Sequence, residues 1–422
     1  MAILKSKNMD KDIISTSNIC VVGLGYVGLP LFCLLSSKYK CYGYDNDNNR
    51  IRTLVKGYDS KCCISHKTIS NTVSRSMVTS NWEDVAHCNI YIITVPTPID
   101  HNNKPDVSAL RDVCINISHL LKKDDIVIFE STVYPGATEE LCVSILETHS
   151  NLRLGEFKVG YSPERINVGD DIHQLHNTPK IVSASDKNTL DVLYTLYSSI
   201  IDKSVVKATS IKIAEAAKMY ENVQRDVLIG LANEYSNFCR AIGIDIHEVT
   251  KCSSSKWNFS AVYPGLVGGH CIGVDPYYLI QKASDIGIPL PLISQARITN
   301  EEKSSQVARR FVEQVLTLEV TEPEQKVLIL GVSYKKNCAD IRNTKVVNLV
   351  REIEKYGYLV DVYDPLVDKV AVEELYNIHL IAKSEFCLAN YRAILEVVHH
   401  DIFNDLHVGS NSSSILTIEQ FL

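Results

Sequence analysis

A glycine-rich turn between a buried strand and a helix constrains the fold of this chain most strongly. Gly23, Gly25 and Gly28 form the pattern Gly-x-Gly-x-x-Gly after the apolar run Ile19–Val22, and Asp45 ends the next apolar run. In this context the glycines allow a tight turn close to a pyrophosphate, and the carboxylate accepts hydrogen bonds from a ribose. The pattern predicts a dinucleotide site that prefers NAD to NADP, with a purely structural glycine turn as the alternative.

Strands and helices alternate at both ends of the chain. Apolar runs predict further strands at 41–44, 90–94, 126–130 and 157–161, and the alternation resumes at 326–330 and 359–363. Such alternation favours parallel, doubly wound sheets. We therefore expect an α/β protein with a Rossmann-type domain at each end.

The centre of the chain has a different pattern. Residues 210–242 contain one Gly and no Pro, and their apolar residues recur at helical spacing, which predicts one long helix. The expected domains are an NAD-binding domain at 1–208, a helical domain at 209–316 and a Rossmann-like domain at 317–422.

Composition excludes several classes of protein. A hydrophobic content of 45% and a net charge of -7 are typical of a soluble globular protein and argue against nucleic acid as a partner. The 13 cysteines include no CxxC pair or zinc-ligand spacing, which favours reduced thiols in the cytoplasm and no metal ion. The apolar segment 19–35 is interrupted by Gly and Pro and is too short to span a membrane.

Two loops follow strands of the predicted N-terminal sheet, where ligands bind in folds of this kind. Pro96 and Thr97 come after the strand at 90–94, and Ser131 and Thr132 come after the strand at 126–130. We expect these loops to face the cofactor. A proline-stiffened turn without a ligand is the alternative for each.

Cys271 is the candidate nucleophile. It follows Gly268, Gly269 and His270, and the glycines allow close backbone approach, so that nearby N–H groups can stabilise a thiolate or an oxyanion. With a nicotinamide cofactor, a thiol permits oxidation of an alcohol to an aldehyde, a thiohemiacetal, a thioester and finally an acid. A metal site would need adjacent residues to bind one ion, which is awkward. An inert cysteine is the other alternative.

Further polar residues have the character of catalytic groups. Lys218 and Asn222 are four residues apart on the long helix and therefore share a face, where a lysine can move protons and an amide can hold an oxygen. Asp275 can orient a water or Lys218. Glu164 is a candidate base for thioester hydrolysis and Arg165 a candidate anion contact. A solvated helix face and a surface ion pair are the alternatives.

The C-terminal α/β region has only Gly331 in its first turn, so we do not expect a second dinucleotide there. Lys335 and Tyr334 follow, and they suit the diphosphate and the base of a nucleotide-linked substrate. Arg342 is a candidate contact to the cofactor. A solvated basic turn is the alternative.

Taken together, these motifs resemble the UDP-glucose/GDP-mannose dehydrogenase family over nearly all of residues 19–405. The matching stretches are GLGYVGLP, VPTP, ESTVYPGATEE, YSPERIN, AEAAKMYEN, PGLVGGHCIGVDPYYL, GVSYKKNCADIRN and VYDP. The chain looks most like the UDP-N-acetylhexosamine 6-dehydrogenases of capsule and other surface-polysaccharide synthesis. The UDP-glucose enzymes usually carry other residues at the positions of His270 and Val274.

The resemblance implies an oxidoreductase that oxidises C6 of UDP-GlcNAc or UDP-GalNAc to the uronate and reduces two NAD per sugar. It implies Cys271 as nucleophile, with Lys218, Asn222 and Asp275 as its helpers and Thr132 and Glu164 as water-positioning groups. It also implies a homodimer through the long helix. The cofactor contacts are Gly23, Gly25, Tyr26, Val27, Gly28, Asp45, Arg50, Pro96, Thr97, Ser131, Thr132 and Arg342. The substrate contacts are Glu164, Arg165, Asn167, Lys218, Asn222, Tyr263, Gly268, Tyr334 and Lys335.

Three alternatives and four departures accompany this hypothesis. The alternatives are a UDP-glucose or UDP-N-acetylmannosamine dehydrogenase, a simpler 3-hydroxyacid dehydrogenase, and an NAD-binding protein without turnover. Tyr334 replaces the usual phenylalanine, and the sequence of residues 265–267 predicts a stiffer loop over the substrate. Arg392 and Glu396 depart from the family in the C-terminal domain.

Overall fold

A computed structural model describes residues 13–59, 64–166, 172–318, 325–385, 388–404 and 415–422. The chain divides into two compact units, residues 1–221 with 277–285 and residues 222–276 with 286–422. Asn167 lies outside the described residues. Within those residues, no helix is both long and apolar enough to cross a bilayer.

The first unit is built on an eight-stranded sheet. Its elements are β1 Asn18–Val22, α1 Gly28–Ser36, β2 Lys40–Tyr44, α2 Asn48–Val55, α3 His66–Val73, β3 Met77–Thr79, β4 Ile90–Ile93, α4 Ser108–Leu120, β5 Ile126–Phe129, α5 Ser144–Ser150, β6 Lys158–Tyr161, β7 Lys180–Ala184, α6 Lys187–Ile200 and β8 Val205–Lys207. The strand order is β3-β2-β1-β4-β5-β6-β7-β8, in which the first six strands are parallel and follow the Rossmann order. β6 and β7 are antiparallel, which the sequence did not predict.

The sheet is covered on both faces, as the apolar strands require. Ile19 and Val21 of β1 enter one hydrophobic core, whereas Cys20 and Val22 enter another. Successive side chains of a strand point to opposite faces, so a strand without polar residues must lie between two layers. This arrangement places the carboxyl ends of β1 and β4, with their loops, side by side at the point where the strand order reverses.

Four helices follow: α7 Ile211–Ala241, α8 Ile246–Ser253, α9 Asp275–Asp285 and α10 Pro291–Leu316. The long helix predicted at 210–242 is α7. Its single glycine, Gly230, lies at a close approach to α10, since a Cβ there would lie 3.2 Å from the Cβ of Ala296. Pro291 stands at the start of α10, where its missing N–H costs no helical hydrogen bond.

The C-terminal sheet has four parallel strands in the order β10-β9-β11-β12. Its elements are β9 Lys326–Leu330, α11 Val346–Lys355, β10 Leu359–Tyr363, α12 Lys369–Tyr376, β11 Ala393–Glu396 and β12 Ile415–Thr417. The two family departures here have partners within this unit. Glu396 is buried and pairs with Nδ1 of His399 at 2.9 Å, and the Arg392 guanidinium donates to the carbonyl of Val315 at 3.3 Å.

Candidate active site

The glycine turn after β1 has the geometry that its sequence predicts. Gly23 has φ of +94°, a conformation that side chains rarely adopt, and its N–H donates to the Tyr44 carbonyl at 2.8 Å. A Cβ on Gly28 would lie 1.8 Å from the oxygen of Gly23 and 2.3 Å from Oγ1 of Thr94. Only glycine therefore fits at this position, and the cradle suits the pyrophosphate of a dinucleotide. The remaining predicted contacts of this turn are half-buried: Gly25, Tyr26 and Val27.

Asp45 lies at the end of β2, beside the same turn. One carboxylate oxygen accepts from the N–H of Leu24 at 2.8 Å, and the other accepts from the N–H of Asp47 at 3.0 Å. The side chain is half-buried, and a carboxylate has about four acceptor positions, so acceptors remain for the two hydroxyls of a ribose. Arg50 is buried, donates to the Leu24 carbonyl at 3.0 Å and pairs with Asp59 at 2.6 Å. It braces the turn, and its predicted contact to the cofactor stays a prediction.

The loops after β4 and β5 are joined to each other by two hydrogen bonds. Thr97 donates its hydroxyl to the Thr132 carbonyl at 2.7 Å, and Ser131 donates its hydroxyl to the Val95 carbonyl at 2.7 Å. Thr97 and Ser131 are buried, Thr132 is half-buried and Pro96 is exposed. The first pair thus fixes the loop backbone, whereas Thr132 remains reachable for a ligand or a water.

Glu215, which sequence reasoning missed, holds the continuation of the β5 loop. Its carboxylate accepts from the N–H groups of Gly136 and Thr138, the latter at 2.9 Å. Glu215 is fully buried, and burial raises the pKa of its carboxyl group. The bond to Gly136 fixes the turn that follows Thr132, so a glutamate of the α7 motif positions a loop of the cofactor domain.

Glu164 has one carboxylate oxygen engaged and one open. Its Oε1 accepts from the backbone N–H groups of Arg165, at 2.6 Å, and Ile166. Its Oε2 is buried and finds no hydrogen-bond partner among the described residues, although Nζ of Lys180 lies 3.9 Å away. A fixed carboxylate whose second oxygen lacks a hydrogen-bond partner in the described part of the chain can act as a base once a water molecule reaches it.

Behind Glu164 lies a buried network that sequence reasoning did not predict. Nζ of Lys180 contacts Oε2 of Glu130 at 2.8 Å, and the Tyr197 hydroxyl donates to the other oxygen of Glu130. All three side chains are buried. Burial raises the pKa of Glu130, and Lys180 opposes that shift. The network places a fixed lysine beside Glu164.

Arg165 is engaged by a carboxylate of its own. Its guanidinium contacts both oxygens of Glu221, at 3.0 and 2.7 Å, and donates to the Pro179 carbonyl at 2.9 Å. The anion contact predicted for Arg165 would therefore compete with Glu221.

Lys218 and Asn222 lie on one face of α7, as their spacing predicts. Lys218 is buried. Asn222 donates its amide to Oδ2 of Asp275, which is the buried first residue of α9. The N–H of Asp275 in turn donates to the carbonyl of Cys271 at 2.9 Å. Two of the predicted helpers are thus joined to the backbone of Cys271.

Cys271 differs from most of the other described cysteines in its exposure. Eight are buried: Cys20, Cys33, Cys41, Cys88, Cys114, Cys142, Cys239 and Cys338. Cys271 is half-buried and Cys252 is exposed. Burial raises the pKa of the Cys20 and Cys33 thiols and keeps them unreactive, since the thiolate is the nucleophile. Cys271 is accessible to a substrate, as a nucleophile must be.

The glycines before Cys271 pack against the loop that carries Tyr334. A Cβ on Gly268 would lie 3.0 Å from Cβ of Tyr334, and one on Gly269 would lie 3.0 Å from its ring. Gly269 has φ of +82° and donates its N–H to the Arg342 carbonyl at 3.2 Å. The turn of the predicted nucleophile and the predicted nucleotide loop are therefore in direct contact.

A cavity of about 280 Å³ opens beside this contact. Its lining residues include Pro264, Gly265, Gly268, Tyr334, Lys335, Lys345, His399 and Glu419. Burial raises the pKa of Tyr334, so its ring stays neutral, while Glu396 and Glu419 raise the pKa of His399 to about 10. Cationic side chains beside a neutral ring suit a uracil nucleotide with its diphosphate.

Two predicted ligand contacts have protein partners in this unit. The Arg342 guanidinium contacts both oxygens of Asp340, the nearest at 2.6 Å. Tyr263 is exposed and stacks on His247, with ring centroids 5.3 Å apart. Both contacts stay predictions.

A buried asparagine, which sequence reasoning also missed, fixes the loop over the cavity. The side-chain NH₂ of Asn233 donates a hydrogen bond to the Gly265 carbonyl at 3.0 Å. The N–H of Gly265 in turn donates to Oδ1 of Asn233, also at 3.0 Å. Asn300 holds Asn233 at 2.9 Å and itself contacts Asp226 at 2.8 Å. The loop at 265–267 is thus anchored at its first residue.

Comparison with known proteins gives three consecutive family matches. Residues 17–201 match the NAD binding domain of the UDP-glucose/GDP-mannose dehydrogenase family, residues 212–302 its central domain, and residues 328–417 its UDP binding domain.

Individual relatives match along most of their length. The chain is 43% identical to UDP-N-acetyl-D-glucosamine 6-dehydrogenase of Pseudomonas aeruginosa, covering 92% of each protein. It is 42% identical to Protein CapL of Staphylococcus aureus, covering 91% of this chain and 90% of that protein. Among solved structures, a UDP-D-ManNAc dehydrogenase from Pyrococcus horikoshii superposes with a TM-score of 0.84 at 28% identity, covering 95% of this chain and 93% of the other.

Proposed function

Because this chain belongs to the UDP-glucose/GDP-mannose dehydrogenase family, we propose that it oxidises C6 of a UDP-N-acetylhexosamine to the uronate with two NAD. The observation that carries the proposal is Cys271, a half-buried thiol on a glycine turn that contacts Tyr334. A cysteine in contact with a nucleotide-binding loop suits an enzyme that holds its sugar covalently during oxidation.

The identities of the relatives favour UDP-GlcNAc over UDP-ManNAc as the substrate. The Pseudomonas aeruginosa protein, named for UDP-N-acetyl-D-glucosamine, is 43% identical, whereas the Pyrococcus horikoshii structure, named for UDP-D-ManNAc, is 28% identical. We propose UDP-GlcNAc or UDP-GalNAc as the substrate, with surface-polysaccharide synthesis as the destination of the product. UDP-N-acetylmannosamine and UDP-glucose are the alternatives.

The proposed roles follow from the chemistry of each side chain. NAD, when bound, accepts one hydride in each of the two oxidations. Lys218 takes the hydroxyl proton in the first oxidation, and the Cys271 thiolate then adds to the aldehyde carbon to give a thiohemiacetal. Asn222 and Asp275 position the nucleophile's turn, to which Asp275 is hydrogen-bonded.

Hydrolysis completes the reaction. The second oxidation leaves a thioester on Cys271, and water attacks its carbonyl carbon, which releases the acid and the free thiol. We propose that the open oxygen of Glu164 accepts the proton of that water, while Thr132 orients it. One alcohol, two NAD⁺ and one water are thereby converted to one carboxylic acid, two NADH and two protons.

We also propose a cytoplasmic homodimer formed through α7. Leu231, Tyr235 and Phe238 follow at helical spacing on this helix, and each is between 45% and 62% exposed. A continuous exposed apolar stripe of this kind marks an interface. Light scattering after gel filtration should give a dimer, and Leu231→Glu with Phe238→Glu should give a monomer.

A panel of UDP-sugars tests the proposed activity. UDP-GlcNAc, UDP-GalNAc, UDP-ManNAc and UDP-glucose are compared by kcat/KM from NADH absorbance, and products are identified by mass. We expect two NADH per sugar and the highest kcat/KM with UDP-GlcNAc or UDP-GalNAc. NAD binding without NADH formation on any of the four would overturn the proposal in favour of a protein without turnover.

A further inference from the structure

A second cavity, of about 750 Å³, lies between α7, α10 and the C-terminal segment 415–422. We call it the arginine cavity. Its lining residues are Asn237, Arg240, Ala241, Arg309, Arg310, Glu313, Gln314, Thr317, Leu416, Gln420 and Phe421. None of these residues lines the cavity beside Tyr334, so the two cavities are separate.

The arginine cavity carries an excess of positive charge. Arg240 donates to the Gln420 carbonyl at 2.6 Å, and Arg310 donates to the Phe421 carbonyl at 2.7 Å and to Oδ1 of Asn237 at 2.7 Å. Within the described part of the chain, neither guanidinium has an ion-pair partner. The only described ion pair of the lining joins Arg309 to Glu313 at 3.9 Å.

A buried lysine lies beside this cavity. Lys303 is fully buried, and its Nζ lies 3.5 Å from Oδ1 of Asn237, the atom that Arg310 also contacts. Burial lowers the pKa of Lys303 to about 7, with Arg310 and Arg240 as further causes. No described carboxylate lies within ion-pair distance of this lysine.

Such a cluster attracts an anion. Arg240 and Arg309 are exposed and Arg310 is half-buried, so solvent screens part of their mutual repulsion, and an anion with good hydrogen-bond geometry would offset the rest. Arg310 also donates to the oxygen of Leu422 at 3.0 Å. A carboxylate at that residue would offset one of the guanidinium charges and leave the other guanidinium charges in place. The cavity volume lies within the range of about 300–1,000 Å³ that is usual for small-molecule sites.

We propose that the arginine cavity binds a small polyanion of the diphosphate class, held by Arg240 and Arg310 with Arg309 at the rim. Guanidinium groups bind phosphate oxygens in pairs, which favours phosphate over a lone carboxylate. The ligand would fix segment 415–422 against α7 and α10. The same segment contributes Ile418, Glu419 and Leu422 to the cavity beside Tyr334, so anion binding would be coupled to nucleotide binding there.

Calorimetric titration of the full chain with inorganic pyrophosphate tests the proposal. We expect a binding event, distinct from any at the glycine turn or in the cavity beside Tyr334, whose affinity falls at least about tenfold in Arg240→Gln with Arg310→Gln, since loss of charge-assisted hydrogen bonds has roughly this effect. Lys335→Gln should keep this site, because Lys335 belongs to the other cavity. Lys251→Gln, an exposed charge change on α8, is the matched control and should bind as the original chain does.

The outcomes separate the proposal from its competitors. Loss of pyrophosphate binding in Lys335→Gln, with full binding in the double variant, would place the anion at the nucleotide cavity and overturn the proposal. Absence of binding to the original chain would also overturn it. If thermal melting shows that the double variant is unfolded, Arg309→Gln carries the test, because its side chain is 59% exposed. Unchanged affinity in that folded variant would overturn the proposal.

Discussion

The glycine turns after β1 and β9 share one geometry. Gly23 and Gly331 have φ of +94° and +86°, and each is the first residue after its strand. Each N–H donates to the last residue of the neighbouring strand, Gly23 to Tyr44 at 2.8 Å and Gly331 to Tyr363 at 2.9 Å. The two turns therefore begin the same supersecondary unit in two places in the chain.

The carboxylates beside these turns have different environments. Asp45 accepts from the N–H of Leu24 and stays half-buried, whereas Asp364 accepts from the N–H of Val332, also at 2.8 Å, and is fully buried. His400 lies against Asp364 at 3.2 Å and covers it. Burial alone would raise the pKa of Asp364, but bonds from His400 and Val332 hold it below its usual value. One carboxylate can bind a ribose, and the other stabilises the fold.

The segments after the two turns differ as well. Helix α1 begins at Gly28, five residues after Gly23, whereas α11 begins only at Val346, 15 residues after Gly331. The longer segment carries Tyr334 and contacts the turn that precedes Cys271. The same unit can thus hold a dinucleotide on its helix N-terminus or present a loop to a different ligand.

The largest effect that separates the turns is expected from Gly28→Ala. Its Cβ would meet the Gly23 oxygen at 1.8 Å and must displace the turn, and a 1 Å displacement costs on the order of 100-fold in rate. NADH formation should fall by about that factor. Gly331→Ala, whose Cβ would lie 2.6 Å from Cβ of Val398, should lower the melting temperature but leave KM for NAD unchanged. Equal losses of NAD affinity in both variants would show that the two turns do not differ in their role in NAD binding.

A smaller effect is expected from removing each carboxylate charge. Asp45→Asn should raise KM for NAD by about 10- to 100-fold, since a charge-assisted hydrogen bond contributes roughly 1.5–3 kcal/mol, and it should improve NADP relative to NAD. Asp364→Asn should leave KM for NAD unchanged and lower the free energy of unfolding by about 2 kcal/mol. Steady-state kinetics and urea unfolding measure the two effects, and a rise of KM for NAD in Asp364→Asn would contradict the assignment.

The smallest effect concerns stability in acid. The pKa of Asp364 is lowered in the folded state, so its stabilisation is present above the ordinary aspartate pKa of about 3.9 and is lost as pH falls through the lowered value. We expect the free energy of unfolding, measured with urea between pH 3 and 6, to fall more steeply towards acid pH for the unsubstituted protein than for Asp364→Asn. Parallel curves would mean that Asp364 is not stabilised as an anion.

The sequence predicted those parts of the fold whose signals are local. The strands at 326–330 and 359–363 have the predicted bounds, and the long helix at 210–242 differs from α7 by one residue at each end. β7 was missed because it begins at Lys180, a lysine that is buried only because Glu130 lies opposite. Its antiparallel pairing with β6 was missed too, since periodicity carries no strand direction.

The site divides in the same way. Asp45 and Cys271 were predicted because glycines and a neighbouring strand surround them in the sequence. Glu215, Lys180 and Asn233 were not, because their partners are Gly136, Glu130 and Gly265, between 32 and 79 residues away. Hydrogen bonds over such separations leave no period or spacing in a single sequence.

The most direct test of the account is acid formation by Cys271→Ser, with Cys252→Ser as control. Cys252 is exposed and Cys271 is half-buried, so solvent reaches both thiols. Only Cys271 lies on the turn that contacts Tyr334. With UDP-GlcNAc or UDP-GalNAc and NAD, mass analysis should find the uronate with the original chain and with Cys252→Ser, and none with Cys271→Ser. Undiminished uronate from Cys271→Ser would contradict a covalent mechanism at this thiol.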